Sequence, residues 1–376
     1  MNRDLFVVAA SLMLWGLGEG MFFAFQPIYL QQLGADPIQI GAILGLVGIA
    51  MTIAHLPAGY LADRLGRRPL MWMAWILGTL ATVLMALAGS LPVFAAGSVI
   101  YGLTTFVSGP MNGYITNVRG SWSVARALTL ISAFYNVGSI AGPLIGGWIG
   151  SQVGLKRTFG ISALLFILST ITIFFIRPQP VDKNPDGEQR VGVKKVLSRP
   201  FSLFLVVFAF STFMMYLPQP LTVNFLQSER GISLQQIGQL LALRGIGIVL
   251  LNLALGQLNP RYGYMLAQVS MAIYSGLLWF GTGLPWYGFG FLLLGSFSTA
   301  RLLAIAQGRA LVKAAEMSVA YGLIETANAA AIIMAPPLAG LIYTKDPIWI
   351  FPFALAGIGA ALAAVILIMP RYKTQE

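Results

Sequence analysis

The chain has 376 residues, 57% of them hydrophobic and only 9% charged, with a formal net charge of +11 and no cysteine. So few polar side chains cannot coat a water-soluble globule of this size, and the solvent that suits them is a bilayer. The missing thiols exclude disulfides, thiolate metal sites and thiol chemistry.

Six apolar runs occupy residues 5–30, 38–60, 70–90, 94–116, 128–151 and 159–176, each near the ~20 residues a helix needs to cross hydrocarbon. Six more follow at 201–226, 234–258, 264–283, 286–307, 319–343 and 348–369. The runs are continuous rather than alternating, which excludes a closed barrel. The expected fold class is an all-α membrane protein of about 12 transmembrane helices. The first run holds Gly16, Gly18, Glu19 and Gly20, is longer than a signal-peptide core and has no small-residue cleavage site, so it reads as helix 1.

After the second run the chain turns back through Gly59-Tyr60-Leu61-Ala62-Asp63-Arg64-Leu65-Gly66-Arg67-Arg68. This charged turn resembles the G-x-L-x-D-R-x-G-R-R signature between helices 2 and 3 of the major facilitator superfamily. The resemblance implies a solute transporter, with Gly59, Asp63, Arg64, Gly66, Arg67 and Arg68 as a conformational latch on the cytoplasmic side. In helix 5, Gly138-x-x-x-Gly142-Pro143-x-x-Gly146-Gly147 resembles the antiporter motif of drug/proton exporters in the same superfamily. Read from the residues alone, the same pattern is small-residue packing, since glycines four apart let two helices approach closely and Pro143 removes one backbone bond. Two positions depart from the exporter pattern. Thr129 replaces an upstream glycine, and Ser98 stands where such exporters place an arginine one turn before Gly102.

Residues 178–200 form the longest polar stretch, with Pro178, Pro180, Pro185 and Gly187 around a charged centre that cannot stay in lipid. It divides an N-terminal six-helix bundle at 1–177 from a C-terminal one at 201–376, and residues 191–197 read as a short basic surface helix. The halves repeat each other at a constant offset: Ile40-Gly41 recurs as Ile237-Gly238, Gly59-x-Leu61 as Gly256-x-Leu258, and Arg64-x-Gly66 as Arg261-x-Gly263. Gln26-Pro27 and Gln219-Pro220 match near the ends of helices 1 and 7, and Pro143 corresponds to Pro337. Two parallel bundles facing a midplane cavity are what such repeats build.

With the N-terminus inside, the cytoplasmic loops collect 17 of the 23 basic residues, and the opposite side receives Lys156, Arg157, Arg230 and Lys345. This asymmetry predicts a multi-pass protein of the cell membrane with both termini cytoplasmic. The positive charge then serves topology and contact with anionic membrane lipids, and no soluble basic module points to nucleic acid.

Charges inside a bilayer are expensive and therefore functional candidates. Glu19 lies past the midplane toward the outer side, where it resembles the helix 1 acid of several multidrug and tetracycline exporters that exchanges protons or receives cations. A structural salt bridge or a wet cavity wall explains it equally well. Arg244, at comparable depth in helix 8, is the expected partner across the halves. Arg301 and Glu325 read as a structural pair in the second bundle, with anion binding as the other role for Arg301. His55, the only histidine, is expected to pack in helix 2 rather than carry protons, and a lone histidine makes no metal site. Phe22 offers a soft cavity wall, while Gln26, Asn112, Asn136 and Gln219 can hydrogen-bond a polar solute.

The functional expectation is a secondary active exporter of small organic, amphipathic compounds working by proton antiport, monomeric and without cofactor or metal. The alternatives are an importer or uniporter of a nutrient such as a sugar or organic anion, and a non-transporting sensor or lipid scramblase. No G-x-x-x-x-G-K-[ST] loop argues for an ATP-driven pump and no triad for an enzyme.

Overall fold

The computed structural model describes residues 2–179, 196–313, 316–367 and 369, apart from the side chains of 56–64 and 318. Most of the polar stretch and all but the last two residues of the expected linker helix at 191–197 lie outside the described residues. The described chain is helical throughout. The N-terminal helices are α1 (Arg3–Gln32), α2 (Pro37–Leu65), α3 (Arg67–Leu87), α4 (Leu91–Val118), α5 (Val124–Val153) and α6 (Leu155–Ile173). The remainder are α7 (Arg199–Ser228), α8 (Leu234–Leu255), α9 (Pro260–Phe280), α10 (Leu284–Arg309), α11 (Met317–Lys345) and α12 (Ile350–Leu367). Among the described residues eleven segments are long and apolar enough to cross a membrane by themselves. The other expected span is α9, a continuous helix of 21 residues. Its Gln268, Ser270, Tyr274 and Ser275 dilute its apolar character, and its buried face absorbs most of them.

The chain divides into two compact units. The first comprises Met1–Asp36, Leu46–Asp186 and Gly231–Ala242, and the second Pro37–Gly45, Gly187–Arg230 and Leu243–Glu376. The division therefore runs through α2 and α8 rather than only through the central polar stretch.

Four helices are interrupted near their middles, and each break has a local cause. In α1 a 3-10 turn at Phe23–Phe25 precedes Pro27, which has no N–H to continue the α pattern. In α4 a 3-10 turn at Thr104–Val107 precedes Pro110. The α7 helix stops at Tyr216 before Pro218 and resumes at Gln219-Pro220, and α10 breaks at Gly295, whose N–H bonds the Leu292 carbonyl. By contrast α5 runs through Pro143 and α11 through Pro336 and Pro337 as unbroken helices.

In the first unit α1 lies against α5 with almost no side chain between them. A Cβ on Gly138 would strike the backbone of Met13 and Leu17, one on Gly142 would come 2.6 Å from the Leu17 carbonyl, and one on Gly146 would come 2.6 Å from that of Met21. Gly16 and Gly20 meet the same seam from α1, against Tyr135 and Ser139. Gly147 faces the other way, onto Leu234 and Gly238 at the start of α8. Around this seam Trp15, Trp75, Tyr101 and Phe166 form an aromatic core, with Trp15 seated on Gly78 and 4.5 Å from the Phe166 ring. The Trp75 indole N–H points at Ser11 Oγ (2.7 Å) and Ser169 Oγ (2.9 Å), so the polar atom of this buried ring is satisfied without water.

The second unit repeats the device with different residues. Gly41 and Gly45 of α2 press on Pro336, Pro337 and Ile333 of α11, and Gly247 of α8 presses on Leu292 of α10. Gln268 donates to Ser211 Oγ at 2.8 Å across the buried α7 and α9 faces.

The seam predicts an asymmetry between glycines. Gly142→Val should lower the melting temperature of the purified protein and its monodisperse yield. Gly160→Ala, where a Cβ meets nothing within 4 Å, should leave stability unchanged or raise it by about 1 kcal/mol through helix propensity. Thermal unfolding of the two variants side by side checks this.

Candidate functional site

The glycine seam sets the geometry of the one acid in the middle of α1. Because Gly16 packs on the backbone and ring of Tyr135, the two helices are close enough for the Tyr135 hydroxyl to reach across. It donates to Glu19 Oε2 at 2.7 Å, the short range typical of a bond to a carboxylate. Tyr101 of α4 and Trp15 of α1 lie within reach of the same carboxylate. Glu19 and Tyr135 are both half-buried and keep some open surface, while Trp15 and Tyr101 are buried. On the same stretch of α5, Asn136 is exposed and donates toward Ser132 Oγ at 3.4 Å. An exposed amide and a half-buried acid are costly against lipid.

The sequence points to Glu19 and Asn136 but not to Tyr135, Tyr101 or Trp15. The available signal was Tyr135 sitting three residues before the first glycine of the helix 5 motif. Three expectations are corrected here. Phe22 is 0% and Gln26 is 1% exposed, so neither lines an open wall. Phe22 packs against Tyr101, Phe159 and Phe166, and the Gln26 amide points at the Met85 sulfur. The 3-10 break in α1 turns both into the core. His55 is exposed rather than packed. Asn112 is exposed on α4, and Gln219 is half-buried with its amide donating to the Met215 carbonyl at 3.0 Å, which satisfies the break in α7.

The charged turn is partly visible. Gly59, Asp63 and Arg64 lie on the last turns of α2, outside the described side chains. Gly66 has φ +82°, a left-handed conformation that glycine adopts without strain, which is why the turn into α3 needs it. Arg67 donates to the Gly113 carbonyl at 3.3 Å and lies so close to Gly113 that a side chain there would collide with it. The Arg68 guanidinium sits 4.0 Å over the Trp72 ring. In the second unit the repeat-related Arg261 donates to the carbonyls of Val365 and Ile366 at 3.1 and 3.0 Å, capping the end of α12.

Also in the second unit, Arg301 and Glu325 are brought together as expected. Arg301 donates to Glu325 Oε1 from Nε at 3.2 Å and from Nη2 at 2.7 Å, with both side chains more than two-fifths exposed. Arg244, half-buried on α8, has the phenols of Tyr216 and Tyr274 as its electrostatic neighbours. Among the described residues no group of acids and histidines is arranged to hold a metal ion.

Comparison with known proteins identifies the family. The Major Facilitator Superfamily model matches residues 8–298. The chain belongs to the major facilitator superfamily. Its relatives include an uncharacterized MFS-type transporter, MJ1560, of Methanocaldococcus jannaschii, 25% identical over 87% of this chain and 84% of that one. The quinolone resistance protein NorA of Staphylococcus aureus is 28% identical, over 57% of each chain. The match thus spans little more than half of NorA. Among solved structures the fold is similar to that of the nucleoside transporter NupG, with TM-score 0.80 and 16% identity over 99% of this chain and 100% of that one. It is also similar to a bacterial homolog of the human lysosomal transporter Spinster, with TM-score 0.75 and 15% identity over 98% and 97%. The family and fold are those of multi-pass membrane transporters.

The Arg301 and Glu325 pair gives this transporter a clean charge test. Arg301→Glu and Glu325→Arg should each reduce folded yield and transport by leaving like charges together, and the double exchange should restore most of both. Yield by size exclusion and uptake into proteoliposomes, measured on all three variants, check the expectation.

Proposed function

We propose that this transporter exports small organic, amphipathic compounds in exchange for protons, and that Glu19 is the group that carries the proton. The observation behind this is the setting of Glu19: a half-buried carboxylate in the middle of α1, in contact with open space, held by the Tyr135 hydroxyl and bordered by Trp15 and Tyr101. A carboxyl group in such a place can exist in either protonation state, because the same hydroxyl that donates to the carboxylate can accept from the acid. Neutralising it removes the cost of a buried charge, so protonation and a change in exposure are thermodynamically linked. The similarity to NorA over part of its length supports export rather than uptake. In this reading the turn at Asp63 and Arg67 latches the cytoplasmic side during alternating access, and the functional protein is a monomer.

In proteoliposomes with an imposed pH gradient, Glu19→Gln should lose uphill export while retaining downhill exchange, because the amide mimics the protonated acid. Tyr135→Phe should lower uphill export less severely. Uphill export unchanged in Glu19→Gln would remove Glu19 from coupling.

The proposed topology places both termini in the cytoplasm of a cell membrane, on the strength of the basic-residue asymmetry. A chain without cysteine makes this easy to check. In intact cells a membrane-impermeant maleimide should label Lys156→Cys and leave Arg126→Cys unlabelled, and the reverse pattern would invert the orientation.

A further inference from the structure

Arg244 lies in the middle of α8, about 15 Å from either end of the helix at 1.5 Å per residue. A guanidinium at this depth stays ionised and is costly unless an anion or water compensates it. Within the second unit no described carboxylate is within ion-pair distance of it, and the pair that unit does contain is Arg301 with Glu325. Its electrostatic neighbours are two phenols, Tyr216 and Tyr274.

The hydrogen bonds around those phenols define which groups are left to meet a ligand. Thr222 Oγ donates to the Pro218 carbonyl at 2.6 Å. With its proton committed there, Thr222 must accept from the Tyr274 hydroxyl 3.0 Å away. Tyr274 therefore spends its proton on Thr222 and is anchored, with Phe291 against its ring. The Tyr216 hydroxyl has no hydrogen-bond partner among the described residues, while its ring lies 5.6 Å from that of Phe297 at an interplanar angle of 33°. Both Tyr216 and Arg244 are half-buried with some open surface. Within this unit the arrangement is a half-buried cation and a hydroxyl donor beside two tilted aromatic rings, with donors in excess of acceptors.

We propose that Arg244 and the Tyr216 hydroxyl form the docking point for the anionic group of the transported compound, a carboxylate attached to an aromatic body that lies along Tyr216 and Phe297. The planar guanidinium fork matches a carboxylate in two parallel bonds, which an ammonium cannot do. This inference rests on the reading of the protein as a transporter of organic compounds and adds the charge class of its substrate.

The test uses three probes of one shape and different charge on the purified full-length protein: naphthoate, naphthalenemethanol and naphthylmethylammonium. Binding is followed by calorimetry, and unliganded melting curves control for folding. The wild type should bind naphthoate on the order of tenfold more tightly than the alcohol. Arg244→Gln should bring naphthoate down to the alcohol's affinity without changing the alcohol, Arg244→Lys should keep part of the preference, and Tyr216→Phe should weaken naphthoate a few-fold. If Arg244→Gln does not fold, the Tyr216→Phe and Arg244→Lys results carry the test. Naphthoate bound no better than the alcohol by the wild type, or equally well by Arg244→Gln, overturns the proposal, as does loss of naphthoate preference in Glu19→Gln but not in Arg244→Gln. Failure of proton-coupled export with naphthoate preference intact would sink only the exporter reading, and intact export without the preference only this one.

Discussion

The close, side-chain-free contact of α1 with α5 is the constraint from which the rest of the first unit follows. In a bilayer, burying apolar surface gives two helices little reason to associate, because lipid tails solvate leucine as well as another helix does. Dispersion between backbones at short range has to supply the attraction instead, and Gly16, Gly20, Gly138, Gly142 and Gly146 make that range accessible. The same closeness delivers the Tyr135 hydroxyl to Glu19. A bulkier seam would push the helices apart and leave the acid without its donor. Packing and chemistry at this site are one arrangement.

Several buried serines and threonines of the first unit obey the companion rule that a polar group in hydrocarbon goes unpaired only at a cost. Ser162 donates to the Gly18 carbonyl at 2.7 Å, Ser11 and Ser169 share the Trp75 indole, and Thr79 meets Thr170 at 2.7 Å. These bonds tie α1, α3 and α6 together at fixed register. Against that background Glu19, Asn136, Tyr216 and Arg244 differ in keeping open surface.

Both units contain broken helices, and the local causes differ. Breaks fall in α1 and α4 of the first and in α7 and α10 of the second, caused by Pro27, Pro110, Pro218 with Pro220, and Gly295. A broken helix frees carbonyls and N–H groups in mid-membrane, which is tolerable only where protein or a wet cavity satisfies them. The repeat has meanwhile diverged in its charges. Asp63 became Pro260, and Arg261 took up a capping role on α12 instead.

The sequence by itself determined the solvent, the number and rough limits of the spans, the internal repeat and the resemblance of the α2 turn to one superfamily. These depend on composition, run length and local motifs, which need no knowledge of neighbours. It also singled out Glu19, Arg244, Arg301 and Glu325, because a charge inside an apolar run is conspicuous wherever it points. Only the tertiary structure decided that Glu19 meets Tyr135, that Phe22 and Gln26 are core, and that His55 is exposed. The physical reason is that a membrane helix is apolar on the faces that meet lipid and on those that meet protein alike. Periodicity, which tells inside from outside in water, carries no such signal here. Which face of a helix meets which neighbour is decided by glycine contacts and breaks that become legible only when two helices are brought together.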